Sequence, residues 1–339
     1  MTAQVAVVMP CRNAGETVDE AVESVLAGSF RDLEFIAVDD GSDDDTPERL
    51  AAWERKDRRL RLIRQTKQGI IPALNACLAS SQAPLVARMD ADDISLPERL
   101  SKQVARMQAD PDLAVLGSLV RAFPEADVRA GFRIYIEWLN SLVSHAEITT
   151  QIFVESPLAH PSVMMRRGWV EKVGGYQERG WPEDYDLWLR LHEAGAVFAK
   201  VPEILLLWRE HADRATRTDS RYAVENFLRA KAHYLVRGPL VERDGVIMWG
   251  AGQMGKRLSK HLLREGAELA AFVDVDPKKI GRSRRGRPIV AVEDLEDWWG
   301  RYERPVVLAA VGSRGARALI RQQLVERGLV EGRDWWAVA

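Results

Sequence analysis

Residues 85–100 read LVARMDADDISLPERL. An apolar run beginning at Leu85 ends on Asp90, Asp92 and Asp93, and Pro97 with Glu98 opens a helix directly afterwards. Pro suits a first helical turn, where its missing N–H is no loss, and an acidic residue suits that end of the helix dipole. The pattern predicts a buried strand running into a helix. Three carboxylates there repel one another and lose solvation, a cost that packing does not explain. On an extended strand, side chains two apart share a face, so Asp90 and Asp92 reach toward one point beyond the strand end. Open α/β sheets bind ligands at that edge. An all-oxygen ligand set suits a hard cation, Mg2+ or Mn2+, which commonly shares its shell with phosphate oxygens. The bland alternative is an acidic turn capping the helix, and a lone D-x-D does not decide between the two.

The stretch has company on its N-terminal side. QVAVVMP (4–10), LEFIAVDD (33–40), RLRLIRQ (59–65) and PLVARMD (84–90) are apolar runs of strand length. Helical patterns separate or follow them at 17–27, 46–57, 70–80 and 97–109. A strand plus a helix in roughly 30 residues is the βα unit of a parallel sheet. The first strand ends on Pro10, Arg12 and Asn13, and the second on Asp39 and Asp40. Gly41 and Ser42 allow a tight turn there, and Thr46 is placed to cap a helix. A carboxylate at that edge accepts a hydrogen bond from a base N–H or a ribose hydroxyl.

The pattern loosens from 111 to 221, where Trp, Gly and Pro are scattered. Residues 222–237 read as one amphipathic helix, and GPL breaks the chain after it. At 244 a fresh β-α-β unit begins. The expected division is 1–221, a helical linker 222–241, and a small domain 242–339, with no tandem repeat.

Composition excludes several classes. The chain has 339 residues, 46% hydrophobic and 29% charged, and a formal net charge of −2. Nothing in that balance points to nucleic acid as a partner. Cys11 and Cys77 are too few for a disulfide framework, so a reduced, cytoplasmic protein is expected. The N-terminus lacks the basic and apolar regions of a signal peptide. Apolar runs such as LAVLGSLV and EILLLW fall short of the ~20 residues of a membrane span. Peripheral contact with the inner face of a membrane, and assembly with a second copy, stay open.

Five motifs, in order, resemble the bacterial family 2 glycosyltransferases of the GT-A fold. They are Pro10-x-x-Asn13-Ala14; Asp39-Asp40-Gly41-Ser42 with Asp44 and Thr46; Ala87 through Leu100; HPSVMMRR at 160–167; and GGYQERGWPEDYDLWLRL at 174–191. Together they span roughly residues 4 to 215. The resemblance implies an α/β domain with a mixed, mostly parallel sheet, a nucleotide-diphosphate sugar as donor, and a glycan or lipid-linked acceptor in polysaccharide or glycoconjugate synthesis. It implies a donor-binding set of Pro10, Arg12, Asn13, Asp40, Gly69, Asn75, Asp90, Ala91 and Asp92. It makes Asp184 the catalytic base, places His160 and Glu183 on the acceptor side, and assigns Asp90, Asp92 and His211 to the metal, with a structural histidine as the competing reading for both His160 and His211. Members generally invert the anomeric carbon. Glu183 and Asp186 are like-charge neighbours expected to raise the pKa of Asp184. The aromatic residue usual after the first Pro is replaced here by Cys11 and Arg12, which leaves base stacking to a guanidinium. The competing reading is a nucleotide-sugar-binding regulatory or scaffold protein with an inactive transferase site.

The last hundred residues carry a separate signature. Gly250, Gly252 and Gly255 form G-x-G-x-x-G between a strand and a helix, and Asp274 ends the next strand about 20 residues on. The expected unit is a small Rossmann-like α/β domain. It resembles the nucleotide-sugar-binding domain of bacterial sugar acyltransferases in Gly250–Gly255, Phe272–Asp274, Gly286–Ile289 and Ala310–Arg317. Nucleotide binding and a degenerate scaffold both remain as readings. No hydride-transfer acid or Lys/Tyr pair is evident, so no redox cofactor is expected. GRSRRGR (281–287) reads as a solvated loop, or as a segment meeting phosphate or an anionic membrane.

Overall fold

A computed structural model describes residues 3–211, 214–313 and 315–339. The chain divides into two compact units. The first comprises residues 1–149, 157–179 and 183–218; the second comprises 150–156, 180–182 and 219–339. The division differs from the expected one at two places. The stretch 222–241, read as a linker, holds the helix Val224–Arg237, which packs on the helix Gln253–Arg264 inside the second unit. Two short pieces from the middle of the chain also group there, which no local sequence pattern announces.

The first unit is built on an eight-stranded sheet. Its strands are β1 Val5–Cys11, β2 Leu33–Asp40, β3 Leu60–Gln65, β4 Leu85–Arg88, β5 Ile94–Ser95, β6 Leu113–Phe123, β7 Met164–Arg166 and β8 Val197–Arg209. The order is β3-β2-β1-β4-β7-β6-β8-β5. The β3-β2-β1-β4 half is parallel, as the βα periodicity predicts. β7 then runs antiparallel to both β4 and β6, so the sheet is mixed. The helices α1 Val18–Leu26, α2 Thr46–Lys56, α3 Ile70–Ala79 and α4 Arg99–Ala109 fall where the apolar spacing puts them. Val5, Val7 and Met9 of β1 and Val18, Val22 and Val25 of α1 share one core cluster. Burying side chains of that size stabilises by about 1.5–3 kcal/mol each. The irregular stretch after 111 holds β6, β7 and β8; the β6–β8 register shifts opposite Pro202, which has no N–H to donate.

The second unit has six strands: β9 Gly245–Trp249, β10 Leu269–Val273, β11 Ser283–Arg284, β12 Arg287–Val290, β13 Pro305–Ala309 and β14 Trp335–Ala337. The order is β11-β12-β10-β9-β13-β14, and every pairing except β11–β12 is parallel. From β12 to β14 this is the doubly wound order, with the switch point between β9 and β13. Among the described residues no helix is long and apolar enough to cross a membrane.

Candidate active site

The loops that follow β1, β2 and β4 meet at one sheet edge. The β1 and β2 loops are stitched together by short polar side chains. The backbone N–H of Asn13 donates to Ser42 Oγ at 2.9 Å, and Asn13 Oδ1 accepts from Asp43 N–H at 2.8 Å. Asn13 sits at φ 49, a region Asn tolerates better than most residues. Ala14 N–H donates to Thr46 Oγ1 at 2.7 Å, and Gly15 N–H to Asp44 Oδ2 at 2.9 Å. Thr46 therefore joins two loops, rather than capping α2. Arg12 lies 3.5 Å from Asp43. Pro10 is paired inside β1 opposite Val38.

Asp40 organises the next loop. Its Oδ1 accepts from Gln65 Nε2 at 2.6 Å and Gln68 N–H at 2.8 Å, and its Oδ2 from Gly69 N–H at 2.8 Å. A carboxylate has about four acceptor positions, so one remains on Oδ2. Gly69 holds φ +99, where a Cβ is strained.

At the end of β4, ligand oxygens of Asp90, Asp92 and Asp93 lie within 4.8 Å of one another. Each has a different counterweight. Asp90 is ion-paired with Arg88, whose side chain is only 2% exposed. Asp92 Oδ2 lies 2.8 Å from Nε2 of His211. Asp93 Oδ1 accepts from Arg209 N–H at 2.7 Å, while its buried Oδ2 has no hydrogen-bond partner among the described residues. Burial raises the pKa of Asp90, opposed by Arg88 and reinforced by Asp92. Burial also raises Asp93, and the charges of Asp92 and Asp90 add to it. Burial acts upward on Asp92 too, but the hydrogen bond and charge of His211, with Arg214, hold it below the usual carboxylate range. Ala91 sits between the acids, and its carbonyl accepts from Thr17 Oγ1 at 2.9 Å. An all-oxygen carboxylate set with an orphaned buried oxygen fits a hard divalent cation.

A second acidic point opens the helix Glu183–Glu193. Asp184 Oδ1 accepts from Tyr185 N–H at 2.7 Å. Burial and the neighbouring Glu183 push the Asp184 carboxyl up to about 8. Asp186 does not join them. Its Oδ2 accepts from Arg190 Nε at 2.7 Å, so its charge is already answered. Glu183 is 1% exposed, at the first helical position. His160 Nε2 lies 2.7 Å from the Tyr176 hydroxyl, and burial, with the charge of Arg88, keeps the imidazole neutral by lowering its pKa well below the usual value.

Asn75, expected at the donor, is the clearest departure. Its Nδ2 donates to Tyr176 O at 2.9 Å, and its Oδ1 accepts from Tyr176 N–H at 3.0 Å. Both ends of the amide hold the turn before the acidic helix, so Asn75 supports the site from α3.

The chain matches the family model "Glycosyl transferase family 2" over residues 6–174. It is 33% identical over 229 residues to the "Putative glycosyltransferase EpsE" of Bacillus subtilis, covering 66% of this chain and 79% of that protein. The chain belongs to glycosyl transferase family 2. Solved structures agree on the fold. S. aureus TarS, solved with UDP-GlcNAc, superposes with a TM-score of 0.58 at 15% identity, over 77% of this chain and 72% of that one. The mannosyltransferase PcManGT of Pyrobaculum calidifontis, solved with GDP-Man and Mn2+, gives 0.50 at 18% identity, over 70% of this chain and 63% of that one.

Several residues of this glycosyltransferase escaped the sequence reading of the site. Arg88 stands in the quoted stretch, and a charge inside an otherwise apolar strand was its signal. Arg209 donates from Nε to Asp92 O at 2.6 Å, and Arg214 lies over the rings of Phe132 and Trp208 at 4.7 Å. Arg209 ends β8 and Arg214 follows it, more than a hundred residues from the acids they serve, and only the sheet order brings them in.

In the second unit the glycines divide by function. A Cβ on Gly255 would meet Gly250 O at 1.9 Å, so this glycine lets the helix approach the strand. A Cβ on Gly252 would meet nothing within 4 Å. Asp274 Oδ2 accepts from Ala251 N–H at 2.8 Å and is paired with Lys279 at 3.2 Å. The expected ribose ligand thus holds the glycine loop, and most of its acceptor capacity is already in use.

Proposed function

We propose that this enzyme moves a sugar from a nucleotide-diphosphate donor to a hydroxyl acceptor on a glycan or lipid-linked glycan, with inversion at the anomeric carbon. The observation that carries the reading is the pairing of two acidic points on one fold: the Asp90-Asp92-Asp93 cluster at the strand edge, and a separate half-buried Asp184 whose carboxyl is raised to about 8. The nucleotide-sugar complexes of PcManGT and TarS, and the Mn2+ in the former, support extending donor and metal to this chain.

Asp90 and Asp92, with His211 beside them, would hold Mg2+ or Mn2+. When bound, that ion offsets negative charge on the departing diphosphate. The chain's own groups do the rest. The spare acceptor position of Asp40 and the Asn13–Ser42 loop orient the nucleoside, and Arg12 is the guanidinium available to stack on the base. The acceptor hydroxyl oxygen bonds to the anomeric carbon from the face opposite the diphosphate. The bond from that carbon to the phosphate oxygen breaks, and its electron pair leaves with the diphosphate. Asp184 takes the hydroxyl proton, and a carboxyl raised toward 8 is a stronger base than an ordinary one. Glu183 raises that basicity without contacting the substrate. His160 and Tyr176 form a neutral wall on the acceptor side.

A panel of nucleotide sugars with Mn2+ tests the reading, scored for nucleoside diphosphate release and for the product's anomeric configuration. Turnover of one donor with inversion is expected. Donor binding with no turnover across hydroxyl acceptors and water would favour the regulatory alternative.

A further inference from the structure

Lys256, Lys279, Arg282, Arg284 and Arg285 line one cavity of about 420 Å³ in the second unit. No carboxylate lines it, and Ile289 is its one large apolar residue. Lys279 is answered by Asp274 at 3.2 Å and Asp276 at 3.6 Å. Among the described residues the other four form no ion pair, and Arg284 Nε is buried without a hydrogen-bond partner. Four uncompensated cations around one space repel each other, in a chain whose net charge is −2.

The cavity is a built feature. β11 and β12 form an antiparallel hairpin, with Ser283 opposite Pro288 and Arg284 opposite Arg287. Its two turn residues, Arg285 and Gly286, have φ 50 and 73, the signature of a type I′ turn. Asn or Gly suits the first of these positions, and a β-carbon there is strained. Arg285 holds it while its guanidinium donates to Lys256 O at 2.8 Å and Ser259 Oγ at 3.1 Å. The strained residue thus fastens the hairpin to the helix that carries Lys256. The sequence 281–287, read as a solvated loop or a segment meeting an anion, is a clamped hairpin facing a cationic space.

We propose that this cavity is a binding site for a diphosphate group, free or carried on a small molecule, independent of the Asp90–Asp92 cluster. The lining decides the chemistry. It offers no aromatic ring for a nucleobase and little apolar surface for a lipid tail. Guanidinium and ammonium groups placed around one space answer several phosphate oxygens at once. A monophosphate would use only part of the charge. The site needs no divalent ion, because the protein supplies the positive charge itself.

Calorimetry on the full chain in excess EDTA, at low salt, tests this with inorganic pyrophosphate, orthophosphate and UDP as probes. Pyrophosphate is expected to bind at one site, more tightly than orthophosphate, and equally well to Asp92→Asn. The double variant Lys256→Gln/Arg284→Gln is expected to weaken it at least about tenfold, the effect of losing charge-assisted hydrogen bonds. Both residues line an open cavity, and an unchanged thermal midpoint confirms that the variant is folded. UDP binding within a few-fold of pyrophosphate identifies a nucleoside diphosphate as an accepted source; pyrophosphate binding without UDP restricts the site to the inorganic ion. The proposal fails if pyrophosphate gives no binding heat in EDTA, or if the double variant binds it unchanged. It fails equally if the protein co-floats with anionic phospholipid vesicles and ignores pyrophosphate, since the cations then serve a membrane surface. None of these readouts depends on sugar transfer, so loss of the transferase reading would leave this test intact.

Discussion

The two units of this chain gather opposite charges. After β4, the first unit crowds Asp90, Asp92 and Asp93 within 4.8 Å. After β9, the second unit has a glycine turn and one acid already committed to Ala251 and Lys279, and beside its β11–β12 hairpin lies a cavity lined by lysine and arginine. Parallel β-α-β winding leaves strand ends and helix starts facing one way, and the acids of the first unit stand there, whereas the cations of the second stand around an antiparallel hairpin. The fold supplies the position, and the loop residues set the sign. An acidic edge reaches a phosphate only through a cation. A basic edge reaches it directly. The same class of ligand is therefore expected to depend on a divalent ion in one unit and to ignore it in the other.

The sharpest way to break that contrast is to alter the acidic edge. Asp92→Asn keeps the side chain's size and its place beside His211, but removes a charge that the metal reading requires. Turnover is expected to fall by about 10³-fold, a loss of several kcal/mol of charge stabilisation. Excess EDTA should do the same to the unaltered enzyme, and added Mn2+ should restore it. Full turnover in EDTA would mean that the acidic cluster works without an ion.

Asp184→Asn is the next largest. The amide keeps the shape and accepts the Tyr185 N–H, but it takes no proton. Turnover is expected to drop by about 10²-fold or more with donor affinity nearly unchanged, measured as kcat against donor Kd. The same substitution should stabilise the fold in alkali. The Asp184 pKa is raised from 3.8 to about 8 in the folded chain. Stability contributed by its neutral form is full below the unfolded value and lost as pH rises through the folded one. Above that range the unaltered protein carries a poorly solvated charge, beside Glu183, that the variant lacks. A higher thermal midpoint for Asp184→Asn at pH near 9, with little difference near pH 4, is the expected pattern.

How far these sites were legible differs between the halves for a physical reason. Asp39, Asp40, Asp90 and Asp92 stand at the ends of apolar runs, and a polar residue where packing wants none is visible in one dimension. The strands β1 to β4 and the four helices between and after them were readable for the same cause, since periodicity is local. Arg209, Arg214 and the two ends of Asn75 were not, because their partners lie far away in sequence and only the tertiary fold brings them near. Asp274 was legible as a residue at the right spacing, but spacing cannot say that Ala251 N–H and Lys279 have already taken its oxygens. The basic hairpin was visible as a run of arginines. Its clamp, Arg285 on Lys256 O, was not.

The pH dependence of catalysis sharpens the same comparison more gently. A base must be unprotonated to work, so kcat/KM is expected to rise about tenfold per pH unit below the Asp184 pKa and to level off above about 8. Glu183→Gln removes the like charge beside it and should move that limb to lower pH. A flat profile from pH 6 to 9 would take Asp184 out of the base role. Pyrophosphate binding in the second unit does not involve Asp184 and should not share this limb.

The smallest expected effect concerns two glycines of one motif. Gly255→Ala places a Cβ 1.9 Å from the Gly250 carbonyl oxygen, so the helix must move off the strand. Overpacking of that kind costs about 1–3 kcal/mol or more, which thermal unfolding would register as a lowered midpoint. Gly252→Ala meets nothing within 4 Å, and φ −75 is ordinary for any residue. Its effect on stability should stay within about 0.5 kcal/mol. Gly252 stands at the N-cap of its helix with open space around it, so a ligand could approach its backbone closely. If Gly252→Ala leaves both stability and pyrophosphate binding untouched, the phosphate sits wholly among the cations of the hairpin cavity. If binding weakens while the midpoint holds, the turn after β9 contributes its backbone N–H groups, and the basic edge is wider than the cavity alone.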